Sequence, residues 1–442
     1  MKKYFISGAM LAGLMSLAAC SNDEGVVADN NGAEQQFTIT LASSGDRATR
    51  AAADRTLESE AADQSIEKVT LVVRSQDDGE DKNKVVYIHT LDNWNGTATD
   101  DTNGHGKKLT FTIPKADKLG AGSYVVTAVG YNEGNYTLSL PNKGDVVDKN
   151  ITATTPTGAE AKEVFAGEKK FNVTADKKIE GTDASKPIQS VDVTLHRQVA
   201  GAYGYFTSIP VKIGKTEVAS IRMVSRSKNT VLTFGSFNSS FTTTDAHVMY
   251  MVNGSVPATK TAKFLNGDEA NVLFSAKITD WFPGGDGNID GVYDKKDTNW
   301  TNPYTTGSYL KGSVFASNFI VPFSATQGKS TLELQLLDAT GNVLYAWPVK
   351  LDASNDQISK TGETASADLF GAGTAMGFAE TADVFSLFRN HIYSIGIHKQ
   401  DTTDPETPVP GTDQPTDLSK IQNVVIRVND NWEALHHMSI DE

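Results

Sequence analysis

The chain has 442 residues, 39% of them hydrophobic and 21% charged, and its 54 acidic against 40 basic side chains leave a formal net charge of -14. A chain of this balance is globular and acidic, and without a basic patch it is not one that wraps nucleic acid, whose phosphates demand clustered Lys and Arg. Cys20 is the single cysteine, which excludes any intramolecular disulfide.

At the start of the chain, Lys2 and Lys3 precede an uncharged run from Tyr4 to Leu17 and the small pair Ala18-Ala19. That pattern is a secretory signal peptide over residues 1–19, too short to cross ~30 Å of hydrocarbon as a helix. Leu17-Ala18-Ala19-Cys20 resembles the lipobox of bacterial lipoproteins, in which the cysteine is acylated, for instance with palmitate, and becomes the new N-terminus. Ser21-Asn22-Asp23-Glu24 resembles the surface-export signals of Bacteroidales lipoproteins. No later run has spanning length, so attachment to the outer membrane is expected through lipid on Cys20 alone.

Residues 20–50 read as a propeptide. Within it Phe37-Thr38-Ile39-Thr40-Leu41 alternates strictly, placing Phe37, Ile39 and Leu41 on one face of a strand that wants a half-buried slot. Asp46-Arg47-Ala48-Thr49-Arg50-Ala51-Ala52 follows, small and polar around two arginines, an exposed stretch that a trypsin-like protease would cut. Ala51 to Ala62 reads either as a short helix or as unstructured chain.

The roughly 350 residues from Ala51 to Gln400 exceed one ordinary hydrophobic core, so two domains are expected, 51–200 and 201–400. Short alternating segments bounded by turn residues predict an all-β chain. The candidate strands are Val69–Val73, Val85–Ile88, Leu109–Ile113, Tyr124–Val129, Ser190–Leu195, Val231–Phe234, Asn271–Ile278, Thr331–Leu337 and Val343–Leu351. Asp338 to Asn342 suits a hairpin between the last two. Many short strands of this kind point to antiparallel β-sandwiches.

Residues 401–420 are rich in Pro, Thr and Asp, the composition of an extended linker. Residues 421–442 carry another strand, with Val424, Ile426 and Val428 on one face and Trp432 as an apolar anchor. The two chain ends thus present similar apolar triplets. Their pairing implies a mechanism in which the front strand fills a groove in its own domain until cleavage removes it, and the tail of another copy then refills the groove. An open edge beside an uncovered core invites such pairing. Three large aliphatic side chains bury at about 1.5 to 3 kcal/mol each, and main-chain ladder bonds give the contact direction. Because donor and acceptor differ, the contact is heterologous and propagates into a fibre.

The sequence also resembles the type V pilins, or fimbrillins, of Bacteroidales, most closely their major shaft subunits. The resemblance rests on the lipobox ending at Cys20, the arginines from Arg47 to Arg50, Val193-Thr194-Leu195-His196-Arg197-Gln198-Val199-Ala200, Leu387-Phe388-Arg389-Asn390-His391-Ile392-Tyr393, and the tail from Val424 to Trp432. It implies two transthyretin-like antiparallel β-sandwich domains with a C-terminal donor strand, lipoprotein export, cleavage after an arginine, and strand exchange with other copies and related pilus subunits in a fimbrium that supports adhesion. By position the cut follows Arg50, with Arg47 an alternative and Arg55 a third.

Enzyme chemistry is not expected. No His-Glu-x-x-His, Gly-x-Ser-x-Gly or P-loop pattern occurs, Gly371 to Gly377 departs from the dinucleotide fingerprint, and His436-His437 has no second ligand cluster beside it. Asp286, Asn288, Asp290 and Asp294, with Asp297, match the spacing of a calcium loop, against the plainer reading of a solvated Asp/Gly turn. The competing functional class is a surface lipoprotein that does not polymerise. It is either a pilus anchor or a module binding a glycan or host protein, with Trp94, Trp281 and Trp300 as its aromatic candidates.

Overall fold

In a computed structural model of the chain, the residues described are 34–41, 66–77, 79–100, 107–147, 151–156, 161–180, 190–234, 259–260, 271–305, 309–326, 328–351, 382–398, 413–419 and 424–429. Among the described residues strands dominate, and helix is confined to single turns such as Trp94–Thr97 and Ile278–Trp281.

The first half supplies β1 (Gln36–Leu41), β2 (Lys68–Ser75), β3 (Val85–Leu91), β4 (Thr99–Asp100), β5 (Lys107–Thr112), β6 (Gly122–Tyr131), β7 (Thr137–Ser139), β8 (Thr152–Thr154), β9 (Phe165–Val173) and β10 (Ser190–Arg197). Eight of these form one sheet in the order β3-β2-β6-β9-β10-β1-β5-β4. The ladder narrows between β9 and β10, where only Ala166↔His196 and Phe165↔Arg197 pair. There the sheet folds over into two facing leaves, and the rings of Tyr87 and His89 on β3 stack on Phe111 of β5 across the fold, His89 at 4.4 Å. Gly167 permits the corner: a Cβ there would lie 2.0 Å from the Thr194 carbonyl oxygen, so only glycine lets the two backbones approach this closely. Between the leaves Phe37, Ile39, Leu71, Val126, Phe171, Val193 and their neighbours form an apolar core.

The second half supplies β11 (Ala200–Thr207), β12 (Ser220–Ser225), β13 (Val231–Thr233), β14 (Asn271–Lys277), β15 (Ser313–Ile320), β16 (Leu332–Leu337), β17 (Val343–Leu351), β18 (Ile392–Ile395), β19 (Thr416–Asp417) and β20 (Val424–Asn429). All but β13 form a nine-stranded sheet in the order β14-β12-β16-β17-β20-β18-β11-β15, with β19 beside β11. Its two ends, β14 and β15, pack on each other, so this sheet also folds over. Every strand expected from alternation lies within a strand of the structure to within a residue or two, and β16 and β17 form the expected hairpin. Asp338 closes that turn by accepting from the Thr340 hydroxyl at 2.7 Å, the Asn342 side-chain amide at 3.0 Å and the backbone N–H groups of Asn342 and Thr340 at 2.9 and 2.8 Å, and these bonds hold its carboxyl down at about 2.

Most ladders are antiparallel, but β1–β10, β11–β18, β11–β19 and β17–β20 are parallel. In each of these pairs the two strands are far apart along the chain, which leaves the length that a parallel crossover requires. The halves are joined by more than the chain. β13 pairs with β8, which pairs with β7, and a second apolar core runs from Val72 and Val129 through Phe206 and Phe315 to Leu418.

Candidate strand-exchange slots and the seam between them

β1 lies between β10, which it pairs in parallel from Gln36↔Ser190 to Leu41↔Leu195, and β5, which it pairs antiparallel from Gln36↔Thr112 to Thr40↔Lys108. Phe37 and Ile39 are wholly buried, and Phe37 meets the edge of Phe171 at 5.5 Å. The opposite face is more enclosed than alternation implies. Thr38 is buried too, its hydroxyl 3.2 Å from that of Thr110, because a strand with neighbours on both sides has little open face. One residue before the strand, Gln35 is fully buried. Its Nε2 donates to the carbonyls of Leu119 at 2.9 Å and Lys177 at 3.0 Å, and its Oε1 accepts from the Leu119 N–H at 2.8 Å. A long polar side chain without an apolar pattern gave no sign of this plug in the sequence.

The neighbours of β1 depend on it. For residues 190–195 of β10 the ladder partner is β1, and on its far side β5 has only the two pairs of β4. Withdrawing β1 would therefore expose two strand edges and the sides of Val191, Val193 and Leu195, which flank it in register. Arg47, Arg50 and Arg55 fall among residues 42–65, outside the described residues, as do Cys20 and the segment 51–62. That stretch joins β1 to β2, so a cut anywhere in it severs β1 from the covalent chain.

The tail strand β20 is seated in its own chain. Val424, Val425 and Ile426 pair in parallel with Val349, Lys350 and Leu351 of β17, while Arg427, Val428 and Asn429 pair antiparallel with Ser394, Tyr393 and Ile392 of β18. It thus bridges the two leaves of the second sheet, three residues to each. Like β1, it has one parallel and one antiparallel neighbour, and both strands are six residues long. Trp432 and the pair His436-His437 lie outside the described residues.

The sequence motifs around Arg197 and Arg389 meet between the two slots. Arg197 donates from Nε to Glu163 at 2.7 Å, both side chains 6% exposed, and lies over the Phe165 ring at 5.2 Å. Its Nη1 reaches Asn390 Oδ1 at 3.4 Å. Arg389, wholly buried, donates to Gln198 Oε1 and to the Thr233 carbonyl at 2.9 Å. Backbone bonds from Asn390 N to the Val199 carbonyl and from Gly201 N to the His391 carbonyl complete the join. Asn390 sits at φ 61, a left-handed conformation uncommon outside glycine. His391 is buried, and burial pushes its imidazole down to about 4 against the hydrogen bond from its Nδ1–H to the Arg389 carbonyl.

The acidic loop uses its oxygens internally. Asp286 accepts from Ile289 N and Gly291 N, Asn288 from Asp290 N, and Asp290 from Val292 N and the Lys296 ammonium. Asp294 accepts from Lys296 N and pairs with its ammonium at 3.4 Å, while buried Asp297 accepts from Gly287 N and Asp294 N. Among the described residues, no group of three or more His, Cys, Asp or Glu is placed to hold a metal ion. Gly371 to Gly377 lies outside them. The three tryptophans are packing residues: Trp94 and Trp281 are buried, and Trp300 packs on Trp281 at 6.2 Å and donates to the Ser313 carbonyl.

No family model matches the chain, and no curated protein matches it. Among solved structures it is similar to the fimbrial anchor protein Mfa2 from Porphyromonas gingivalis, at TM-score 0.34 and 9% identity, over 90% of this chain and 98% of that one. It is also similar to a fimbrial assembly protein from Parabacteroides distasonis, at TM-score 0.35 and 10% identity, over 83% and 92%. Both of these neighbours are named as fimbrial proteins.

Proposed function

We propose that the chain is a structural subunit of a surface pilus, exported as a lipoprotein through Cys20, cleaved after Arg50 or Arg47 by an arginine-specific protease, and polymerised by donor-strand exchange. The observation that carries this reading is the seating of β1. It is a whole strand of the core ladder, it buries Phe37 and Ile39, and it is joined to the rest of its domain only through the arginine-bearing segment 42–65. Once that segment is cut, β1 is held by non-covalent contacts alone, and its departure leaves a slot with one parallel and one antiparallel edge. The tail strand of a second copy already makes a ladder of that mixed kind and carries Val424, Ile426 and Val428 at the spacing of Phe37, Ile39 and Leu41. Main-chain pairing supplies affinity, and apolar side chains entering the core fix the register. Donor and acceptor lie on different parts of one molecule, so the contact repeats into a fibre rather than closing.

The test is intact mass and N-terminal sequencing of protein sheared from native cells, beside an unheated, non-reducing gel. A start at Ala51 or Ala48 within a high-molecular-weight ladder, lost when residues 421–442 are deleted, supports the shaft subunit. An acylated Cys20 start without a ladder overturns it in favour of a pilus anchor or a surface lipoprotein that does not polymerise.

A further inference from the structure

We propose that Gln198 and Arg389 are positioning residues that make retention of the tail strand β20 depend on the presence of β1. The inference rests on the strand-exchange reading and adds to it an order of events, in which loss of the leader strand loosens the tail of the same molecule.

The path is continuous in the structure. β10 pairs with β1 over residues 190–195 and with β9 only at His196 and Arg197. Without β1, six of its eight residues lose their ladder partner, and the strand hangs on its last two. Those two lead directly into Gln198, whose backbone N–H donates to the Val164 carbonyl at 2.8 Å and whose side chain is wholly buried. Its Nε2 is fixed by the His196 carbonyl at 2.8 Å, which aims Oε1 at the guanidinium of Arg389. Arg389 is followed by Asn390 and His391 and then by β18, and β18 is the antiparallel neighbour of β20.

The coupling is expected to be stepwise. Arg389 is a buried charge, and a buried charge that loses an acceptor costs far more than an exposed one. A small displacement of Gln198 therefore drives Arg389 to find another arrangement instead of stretching one bond. Asn390, in its left-handed conformation, is held there by the Arg197 contact, from the last residue of β10, and by the Val199 carbonyl two residues further on. When that segment moves, the start of β18 loses these contacts and keeps only its ladder with β11, so the half of the β20 ladder that β18 carries is weakened. Two discrete arrangements joined through packed polar groups are the physical requirement for coupling distant sites.

The experiment is hydrogen exchange read by mass spectrometry on peptides covering 424–429. It compares the intact precursor with the same chain after proteolytic clipping within residues 42–65 and separation of the leader fragment, at dilution where no ladder forms. Loss of the leader raises exchange of 424–429 by at least about tenfold, the least that a coupling of about 1.4 kcal/mol produces, and a synthetic peptide of residues 34–41 reverses it. In Gln198→Ala the tail exchanges fast with or without the leader, so the ratio falls to about one, while the β2–β6 ladder keeps its protection. Unchanged exchange at 424–429 in the wild-type chain on leader loss overturns the proposal, as does a full response in Gln198→Ala. If that variant does not fold, the wild-type comparison and the peptide add-back decide alone. Failure of the clipped chain to form ladders at high concentration would sink the pilus reading and leave this intramolecular measurement standing.

Discussion

Replacing Phe37 by Ala should weaken the hold of the leader strand on its slot far more than replacing the half-buried Thr40 of the same strand. Phe37 is wholly buried and packs edge-on against Phe171, so truncation removes both the transfer of a full aromatic side chain from water and a ring pair. Phe→Ala changes in cores cost about 3 to 5 kcal/mol, equivalent to roughly two to three and a half orders of magnitude in a dissociation constant. The half-buried Thr40 offers a control on the same strand, where truncation costs well under about 1 kcal/mol. The assay is fluorescence anisotropy with labelled peptides of residues 34–42, wild-type, F37A and T40A, titrated with clipped chain from which the leader has been separated. Equal affinities for the F37A and T40A peptides would refute the idea that side-chain burial in this slot, beyond main-chain pairing, holds the strand.

His391 stays neutral in the folded chain down to about pH 4, while an exposed histidine takes its proton near 6.5; the unfolded state binds more protons between those values. Stability therefore holds above pH 6.5 and falls as pH drops toward 4, by about 3 kcal/mol in all. His391→Gln should flatten that part of the urea-midpoint profile, and an unchanged slope would contradict it. Gly167→Ala should lower the urea midpoint by an amount equivalent to about 1 to 3 kcal/mol or more, since the added Cβ meets the Thr194 carbonyl at the corner between leaves. Millimolar Ca²⁺ should give neither calorimetric heat nor a rise in Tm, because the Asp286–Asp297 loop already spends its carboxylates on backbone N–H groups and Lys296; a measurable rise would show that the loop rearranges around the ion.

Strands with one wet face were legible because alternation exposes them. Ser190–Leu195 and Val343–Leu351 are examples, and the Asp338 turn announced itself through its Gly and Asn. β11 was not legible: Ala200 to Phe206 is buried at every position, so small and aromatic residues follow one another without alternation. β9 carries Glu168-Lys169-Lys170 in its middle, which reads as a loop until Arg74 and the β6 ladder are seen beside it. Phe37 and Ile39 were recognisable from their spacing. Gln35, Gln198 and Arg389 were not, because a buried polar residue is distinguished only by its partners, and Arg389 lies 191 residues from Gln198 along the chain. The two short motifs around these residues stood out in the sequence, but nothing in their composition indicated that they touch.

The stretch 42–67 between β1 and β2 acts as a tether, and its effect is one of concentration. While it is whole, the slot sees its own strand at an effective concentration on the order of millimolar, so a rival strand present at about micromolar is outcompeted by roughly a thousandfold with no difference in contacts. One peptide-bond hydrolysis removes that advantage, worth about 4 kcal/mol, without altering a single atom of the slot. On the pilus reading proposed above, the timing of assembly would then be set by the kinetics of the protease that cuts this tether.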